Sequence, residues 1–329
     1  MTTTSKMTCI EIAKPGDPDV LVTATRPKPK ADFGEVVIKV AAVGVNGPDL
    51  MQRKGLYPPP KGASDLLGLE VAGTIAEIGD GVSNWTVGDP ICGLTNGGGY
   101  AEFVAVNASH CLPIPAGLNV INAASLPETY FTIWSNIFMT ARLLPDEVYL
   151  VHGGAGGLGT TSIQLAKAFG ATVVATDSPT ERCVICTELG ADRVIDYNKE
   201  DFVDVVRDEF GSAQVILDIV GGPYIERNIK AARHDARIVQ LAFAMGSKVE
   251  VNLMPVMLKR LTYTGSTLRS RPDAYKTRVA KELWTKVWPL FEDGTLKPVV
   301  NTTLPLAQAP EAHALMERAG HAGKIILTT

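Results

Sequence analysis

VYLVHGGAGGLG, residues 148–159, joins a run of strand-forming residues to a turn that contains five glycines. Gly154, Gly156 and Gly159 match the pattern GxGxxG, and residues 160–169 have the apolar spacing of a helix. Between a strand and a helix this pattern predicts dinucleotide binding, because glycines permit a tight turn and let the backbone approach a pyrophosphate. A glycine-rich turn without a ligand is the alternative. A P-loop is excluded, because no Gly-Lys-Ser or Gly-Lys-Thr follows.

Strands and helices alternate along the chain from this turn onward. The predicted strands are residues 148–152, 171–176, 193–197, 214–219, 237–242 and 261–265. Strands that are joined through crossover helices pair in parallel. We therefore predict a doubly wound parallel sheet of the Rossmann type, in a dinucleotide-binding domain that covers residues 126–268.

The rest of the chain predicts a second, β-rich domain. Its first part has short alternating stretches separated by Gly and Pro clusters instead of long helices, at residues 35–40, 71–78 and 100–106. In the tail we predict one long helix over 275–291 and a last strand over 324–329 that returns to this domain. The sequence thus indicates an α/β protein whose substrate domain comprises residues 1–125 and 269–329.

The composition argues against some classes of binding partner. The 329 residues include 31 Lys and Arg against 35 Asp and Glu, without a basic block, which argues against a nucleic-acid binder. No apolar run reaches the roughly 18 to 20 residues that span a bilayer. We therefore expect a cytoplasmic protein that binds a small molecule and neither a membrane nor a nucleic acid.

The cysteines do not indicate a metal site. The chain has five, an odd number, so free thiols are expected instead of a disulfide framework. Cys183 and Cys186 form a CxxC pair, but no second pair at suitable spacing accompanies it. A shared helix face explains this spacing more simply than a metal does.

Several other segments carry a family resemblance. They are NGPDLMQR (46–53), GLYPPP (55–60), LGLEVAG (67–73), GGGYAE (97–102), LPET (126–129), DIVGG (218–222), GSTLR (265–269) and GKIIL (323–327). With the two-domain pattern, they resemble the medium-chain dehydrogenase/reductase superfamily over nearly the whole chain. Zinc alcohol dehydrogenases of that superfamily have a Cys where this chain has Asn46 and a His where it has Leu69, so no catalytic zinc is expected. The chain is most similar to the zinc-free quinone oxidoreductase family, which includes zeta-crystallin and has a GroES-like first domain.

The resemblance implies a function and a site. Members of the family reduce quinones and related α,β-unsaturated carbonyls with NADPH, as homodimers or homotetramers. By resemblance, Asn46 and Tyr57 line the substrate end and are the candidate catalytic residues. The candidate cofactor-binding residues, from the resemblance and from the glycine pattern, are Thr132, Gly154, Gly156, Gly157, Leu158, Gly159, Asp177, Ser178, Arg182, Tyr197, Phe243, Met245, Leu268 and Arg269.

The choice between NADPH and NADH is open at the sequence level. Asp177 ends the strand after the glycine turn, where a carboxylate binds the ribose 2′-hydroxyl of NAD and repels a 2′-phosphate. Arg182, Tyr197 and Lys199 lie nearby and would bind a phosphate if Asp177 turns away. A role of Asp177 in capping a helix or turn is a further alternative. Gly156 also stands where many members of the family have Ser.

The chemistry predicted from the resemblance is hydride transfer from a nicotinamide. Negative charge develops on the acceptor oxygen, so hydrogen-bond donors are the main contribution of the protein. Tyr57 and Asn46 are the candidate donors, although Tyr57 could instead anchor its proline-rich loop and Asn46 could cap a turn.

Two other functions are open. One is a reductase of alkenals or enoyl thioesters, for which Arg53, Lys54 and Lys61 offer a modest basic entrance. The other is a non-catalytic NADPH-binding or RNA-binding protein of the crystallin kind.

Overall fold

A computed structural model describes residues 5–318 and 320–329 of the chain. The chain forms two compact units. The strand-rich unit comprises Met1–Phe131 and Arg269–Thr329, and the parallel-sheet unit comprises Thr132–Leu268. No helix in the described ranges has both the length and the apolar character needed to cross a membrane.

In chain order the strands are β1 (Lys6–Ile12), β2 (Leu21–Pro27), β3 (Glu35–Gly44), β4 (Glu70–Ile78), β5 (Pro90–Leu94), β6 (Phe103–Asn107), β7 (Cys111–Pro113), β8 (Val148–His152), β9 (Thr172–Asp177), β10 (Arg193–Asp196), β11 (Ala213–Asp218), β12 (Ala232–Gln240), β13 (Thr262–Gly265), β14 (Val300–Pro305) and β15 (Lys324–Thr328). The α-helices are α1 (Gly47–Arg53), α2 (Val120–Ala123), α3 (Pro127–Ile133), α4 (Gly157–Ala168), α5 (Thr180–Glu188), α6 (Phe202–Phe210), α7 (Tyr224–Ala231), α8 (Met254–Leu258), α9 (Asp273–Lys286), α10 (Pro289–Glu292) and α11 (Ala309–Glu317). Trp134–Thr140 is a π-helix.

The parallel-sheet unit has the predicted doubly wound sheet. Its strands follow the order β10-β9-β8-β11-β12-β13, and every neighbouring pair is parallel. The central strand β8 is buried along its whole length, as expected for a strand covered on both faces by helices. Because the strand order reverses between β8 and β11, loops diverge at the carboxyl ends of these strands, where ligands bind in sheets of this kind.

The strand-rich unit contains a mixed sheet and a hairpin. The sheet has the order β14-β15-β3-β4-β5-β7, with β6 also paired to β3, while β1 and β2 form an antiparallel hairpin. Ile38, Val71 and Ile325 are among the residues of its core and are at most 1% exposed. β15 pairs antiparallel with β3, which confirms that the last strand returns to the first part of the chain.

Some elements differ from those that the sequence predicts. The prediction of a single helix over 275–291 is wrong: α9 ends at Lys286, and α10 begins at Pro289. Proline cannot donate the backbone hydrogen bond that would continue α9 through this position. α4 begins at Gly157, three residues before the predicted start, so the last glycines of the turn belong to the helix. The hairpin of β1 and β2, and the short helix α1, have no counterpart in the sequence prediction.

Candidate functional site

The glycine turn connects β8 to α4 at the carboxyl edge of the parallel sheet. Gly153 has a φ of 72°, a conformation that favours glycine. A Cβ on Gly159 would overlap the carbonyl oxygens of Gly153 and Gly154, and one on Gly154 would lie 2.7 Å from Cys186 Sγ. Gly154 and Gly159 are therefore required by the protein's own packing.

Gly156 has no such internal requirement. Its φ of −73° and ψ of 173° are open to any residue, and among the described residues a Cβ there would meet only the Gly153 carbonyl oxygen, at 3.4 Å. Gly156 is the N-cap of α4, beside the first helical amides, which have no acceptor within the helix. This is the geometry of an anion cradle, so the turn fits the pyrophosphate of a dinucleotide.

A buried chain of hydrogen bonds fixes the strand ends around this turn. Asp218 Oδ2 accepts from Asn228 Nδ2 at 2.9 Å, Asn228 Oδ1 lies 2.7 Å from His152 Nε2, and His152 Nδ1 lies 2.9 Å from Thr176 Oγ1. All four residues are at most 1% exposed. Because the Asn228 amide nitrogen donates to Asp218, its oxygen accepts, and His152 carries its proton on Nε2. Burial lowers the pKa of His152, which keeps the ring neutral.

Phe243 and Met245 lie in the loop after β12, against the turn that follows β11. Gly221 and Gly222 have positive φ, and a Cβ on either would contact Phe243 or Met245. The side chains of Phe243 and Met245 are 46% and 59% exposed. The structure therefore places these two predicted cofactor residues at the same carboxyl edge as the glycine turn.

The residues predicted to lie beside the ribose of the dinucleotide are also close to one another. Asp177 ends β9, and its carboxylate contacts the glycine turn, Ser178 and Arg182. The backbone amide of Tyr197 donates to the Asp177 carbonyl at 3.3 Å, and the side chain of Tyr197 is 45% exposed. Leu158 lies in the first turn of α4.

Thr132 and Leu268 are the first and last residues of the parallel-sheet unit. Thr132 is 7% exposed, and its carbonyl accepts from Asn136 Nδ2 at 2.9 Å. Leu268 is half-buried.

In the strand-rich unit, Asn46 belongs to a buried ionic network. Its Nδ2 donates to Glu70 Oε1 at 2.9 Å and to the Gly44 carbonyl at 3.2 Å, while its Oδ1 accepts from Lys324 Nζ. Lys324 Nζ also lies 2.6 Å from Glu70 Oε1. Asn46 is 3% exposed, and both amide hydrogens have acceptors within the unit. The amide of Asn46 is thus held in place by its neighbours.

Asp49 ties this network to the loop that carries the LGLEVAG segment. Its carboxylate accepts from Asn46 N and from Gly68 N, both at 2.9 Å. Burial raises the pKa of Asp49 to about 6, against the opposing effect of the two amide hydrogen bonds.

Tyr57 lies beside a buried cation. Arg269 is 7% exposed, and its guanidinium carbon lies 5.7 Å from the centroid of the Tyr57 ring. Arg269 donates to Gln52 Oε1 and to the Asn96 carbonyl, while Lys276 donates to Asn96 Oδ1 and to the Arg269 carbonyl. Burial lowers the pKa values of Arg269 and Lys276. Burial raises the pKa of Tyr57, so its phenol keeps its proton at neutral pH. In the described ranges the Tyr57 hydroxyl makes no hydrogen bond.

The sequence did not single out several residues of these networks. Glu70 and Lys324 lie in quoted motifs, but no spacing rule shows that a lysine near the end of the chain contacts Asn46. Asn228 and Lys276 lie on predicted helices without a motif. Within residues 5–318 and 320–329, no group of three or more His, Cys, Asp or Glu side chains is arranged to hold a metal ion.

Comparison with known proteins gives the family. Residues 32–116 match the alcohol dehydrogenase GroES-like domain, and residues 157–285 match the zinc-binding dehydrogenase domain. The quinone oxidoreductase of Mus musculus is 31% identical over 98% of this chain and 97% of its own length. The chain belongs to the quinone oxidoreductase family of the medium-chain dehydrogenase/reductase superfamily.

The chain is also similar to solved structures of this family and to the structure of an enzyme with a different activity. The quinone oxidoreductase of Escherichia coli, complexed with NADPH, has a TM-score of 0.86 and 27% identity, over 98% of this chain and 100% of that one. The CurK enoyl reductase also has a TM-score of 0.86, with 26% identity, over 98% of this chain and 99% of that one. Polyketide synthase GfsB of Streptomyces halstedii is 32% identical over 90% of this chain, which spans 5% of that protein.

Proposed function

We propose that the protein is a quinone reductase that uses NADPH as hydride donor and no metal. The observation that carries the proposal is the open cradle at Gly156, in a chain of the quinone oxidoreductase family. A Cβ at this position would meet only the Gly153 carbonyl oxygen among the described residues, so the space beside the first amides of α4 is open to a pyrophosphate. The NADPH complex of the E. coli relative supports the choice of NADPH.

When bound, the nicotinamide supplies the hydride, and the chain supplies binding and electrostatics. In our proposal the Tyr57 hydroxyl donates a hydrogen bond to the acceptor oxygen, where negative charge develops. Arg269, beside the Tyr57 ring, strengthens this donor through its positive charge. Asn46 has both amide hydrogens engaged, so we assign it a positioning role within the network of Glu70 and Lys324.

The proposal is tested by initial rates of 1,4-benzoquinone reduction with NADPH and with NADH at matched concentrations. We expect turnover with NADPH, and a Gly156→Val variant that folds but loses nucleotide binding. Binding of NADPH without turnover of any quinone would contradict the proposed activity. Unchanged nucleotide affinity in Gly156→Val would contradict the proposal that the pyrophosphate binds beside Gly156.

Reduction of an enoyl thioester is the second candidate, favoured by the likeness to CurK enoyl reductase. The structure weakens the basic entrance that such a substrate would use. Arg53 is fully buried and pairs with Glu317 at 2.6 Å, and Lys54 pairs with the same carboxylate at 2.7 Å. Crotonyl-CoA, assayed beside benzoquinone, separates the two activities: faster turnover of the thioester would favour the second candidate.

We also propose that the enzyme is a cytoplasmic homodimer, with contacts through the β13 side of the parallel-sheet unit. No further strand pairs with the outer edge of β13 in the part of the chain that the structure describes. Four apolar side chains of the neighbouring segment are 59–70% exposed: Leu253, Met254, Met257 and Leu258. Exposed apolar patches of this kind mark interaction sites. Sedimentation should show a dimer that Met257→Glu converts to monomer, and a monomeric parent protein would contradict the proposal.

A further inference from the structure

Four cationic side chains are buried in the part of the strand-rich unit that the structure describes. Each is at most 7% exposed: Arg53, Arg269, Lys276 and Lys324. Two of the four have a carboxylate partner. Arg53 Nη2 lies 2.6 Å from Glu317 Oε1, and Lys324 Nζ lies 2.6 Å from Glu70 Oε1. The charges of these two residues are thus compensated within the unit.

The other two, Arg269 and Lys276, donate only to uncharged acceptors among the described residues. Arg269 Nη1 donates to Gln52 Oε1 at 2.6 Å, and its Nε and Nη2 donate to the Asn96 carbonyl at 3.0 and 2.7 Å. Lys276 Nζ donates to Asn96 Oδ1 at 2.6 Å and to the Arg269 carbonyl at 2.9 Å. Asn96 therefore contacts both residues, and we call Arg269 and Lys276 the Asn96 cation pair.

This cation pair is unusual, because lysine and arginine are almost never fully buried without an ionic partner. Burial lowers the pKa of both side chains. The charge of Asp49 opposes this effect on the pKa of Arg269, and Asp273, whose side chain is 62% exposed, opposes it on the pKa of Lys276. Neither carboxylate forms an ion pair with these cations in the described ranges. The pair thus leaves positive charge without a partner in the interior, where charges are screened less than at the surface.

The Asn96 cation pair lies at the acceptor end of the proposed site. The guanidinium carbon of Arg269 is 5.7 Å from the centroid of the Tyr57 ring. Tyr57 is the residue that we assign to the acceptor oxygen. A group bound beside Tyr57 is therefore in the field of both cations, and a fixed field of this sign favours negative charge.

We propose that the Asn96 cation pair makes the site selective for acceptors that carry a negative charge of their own, such as carboxylate-substituted quinones. The carboxylate of the acceptor supplies the counter-charge that the strand-rich unit does not provide. Arg53 and Lys54 contribute less to this preference, because both pair with Glu317. This inference rests on the proposed function, because it names the substrate class of the same site.

The test compares two ligands of nearly equal size that differ in charge. They are 2,5-dihydroxyphenylacetate, the reduced form of a carboxylate-substituted quinone, and its uncharged methyl ester. Binding is measured by calorimetry on the full-length protein with saturating NADP⁺, without oxygen and without turnover. The carboxylate should bind at least about tenfold more tightly than the ester.

Three variants of α9 assign this difference to the buried charge. Lys276→Met should reduce the ratio of the two affinities at least about threefold. Lys276→Arg keeps the charge and should keep the ratio within about twofold of the parent value. Lys281→Met is the matched control and should leave the ratio unchanged, because Lys281 is exposed on the same helix. An unchanged ratio in Lys276→Met would overturn the inference.

Salt dependence in the parent protein tests the inference even if Lys276→Met does not fold. Salt screens exposed charges more than buried ones. The ratio of the two affinities should therefore fall less than about twofold between about 0.02 and about 0.5 M NaCl. Loss of the preference at the higher salt concentration would assign it to surface lysines and overturn the inference.

Turnover of 1,4-benzoquinone, measured on the same protein, tests the proposed function separately. Turnover together with equal binding of the two probes, or with tighter binding of the ester, would overturn the inference and remain consistent with a reductase of uncharged quinones. The absence of both turnover and binding of either probe would contradict the proposed function and the inference together.

Discussion

Replacing Lys324 by Met should destabilise the strand-rich unit far more than the loss of a surface lysine. Glu70 is fully buried, Lys324 is 6% exposed, and their charged atoms lie 2.6 Å apart. Removing one partner of a buried ion pair costs about 3–5 kcal/mol, because the other charge stays buried without compensation. Glu70 keeps hydrogen bonds from Asn46 Nδ2 and Glu128 N, both at 2.9 Å, so we expect the lower value, about 3 kcal/mol.

This loss of unfolding free energy can be measured by urea unfolding, monitored by tryptophan fluorescence, and by calorimetry. For a unit of this size about 3 kcal/mol corresponds to a fall in Tm of about 6–12 °C. Lys230→Met is the matched control, because Lys230 pairs with Glu226 on the surface of α7, where such a pair contributes about 0.3–0.5 kcal/mol. The double variant Glu70→Gln with Lys324→Met should recover part of the loss. A cost of Lys324→Met no larger than that of Lys230→Met would refute this reasoning.

Three further predictions concern single side chains. Tyr57→Phe should lower the turnover of benzoquinone about 100-fold while the Kd of NADPH is unchanged; an unaltered rate would remove Tyr57 from the site. Gly159→Ala should unfold or strongly destabilise the parallel-sheet unit, because its Cβ would overlap two carbonyl oxygens, whereas Gly156→Ala should keep the Tm of the parent protein; equal thermal melts of the two variants would contradict this distinction. Burial, with the nearby charge of Arg53, lowers the pKa of His313 to about 3. The ring is therefore neutral in the folded protein, and stability should fall as the pH drops from about 6.5 to 3, by about 1.4 kcal/mol per unit. In His313→Gln the free energy of unfolding should depend less on pH over this range. Parallel pH curves for the parent protein and the variant would contradict the assignment of this dependence to His313.

The parallel sheet could be predicted because its information is local. The residues of β8, the glycine turn and α4 are contiguous, and their pattern specifies both the strand and the helix. The break between α9 and α10 was missed, although its signal, Pro289, is also local. The hairpin of β1 and β2 was missed because β2 buries only Leu21, so its sequence has no clear alternation of apolar and polar residues.

The networks of the site could not be predicted in the same way. Lys324 and Asn46 lie 278 positions apart, and only the pairing of β15 with β3 brings them together. The position of Asp177 was predictable from the fold, but its orientation was not. That orientation depends on Arg182, in the first turn of α5, and on one amide of the glycine turn. Side-chain direction is thus set by tertiary contacts that no motif records.

We propose that this chain transfers a hydride from NADPH to a quinone without a metal. The most direct measurement is NADPH oxidation at 340 nm with 1,4-benzoquinone, using protein that has been dialysed against a chelator. We expect turnover that is unaffected by the chelator and that depends on Tyr57. Turnover that is lost on chelation and restored by zinc, or NADPH binding with no oxidation by any quinone, would contradict it.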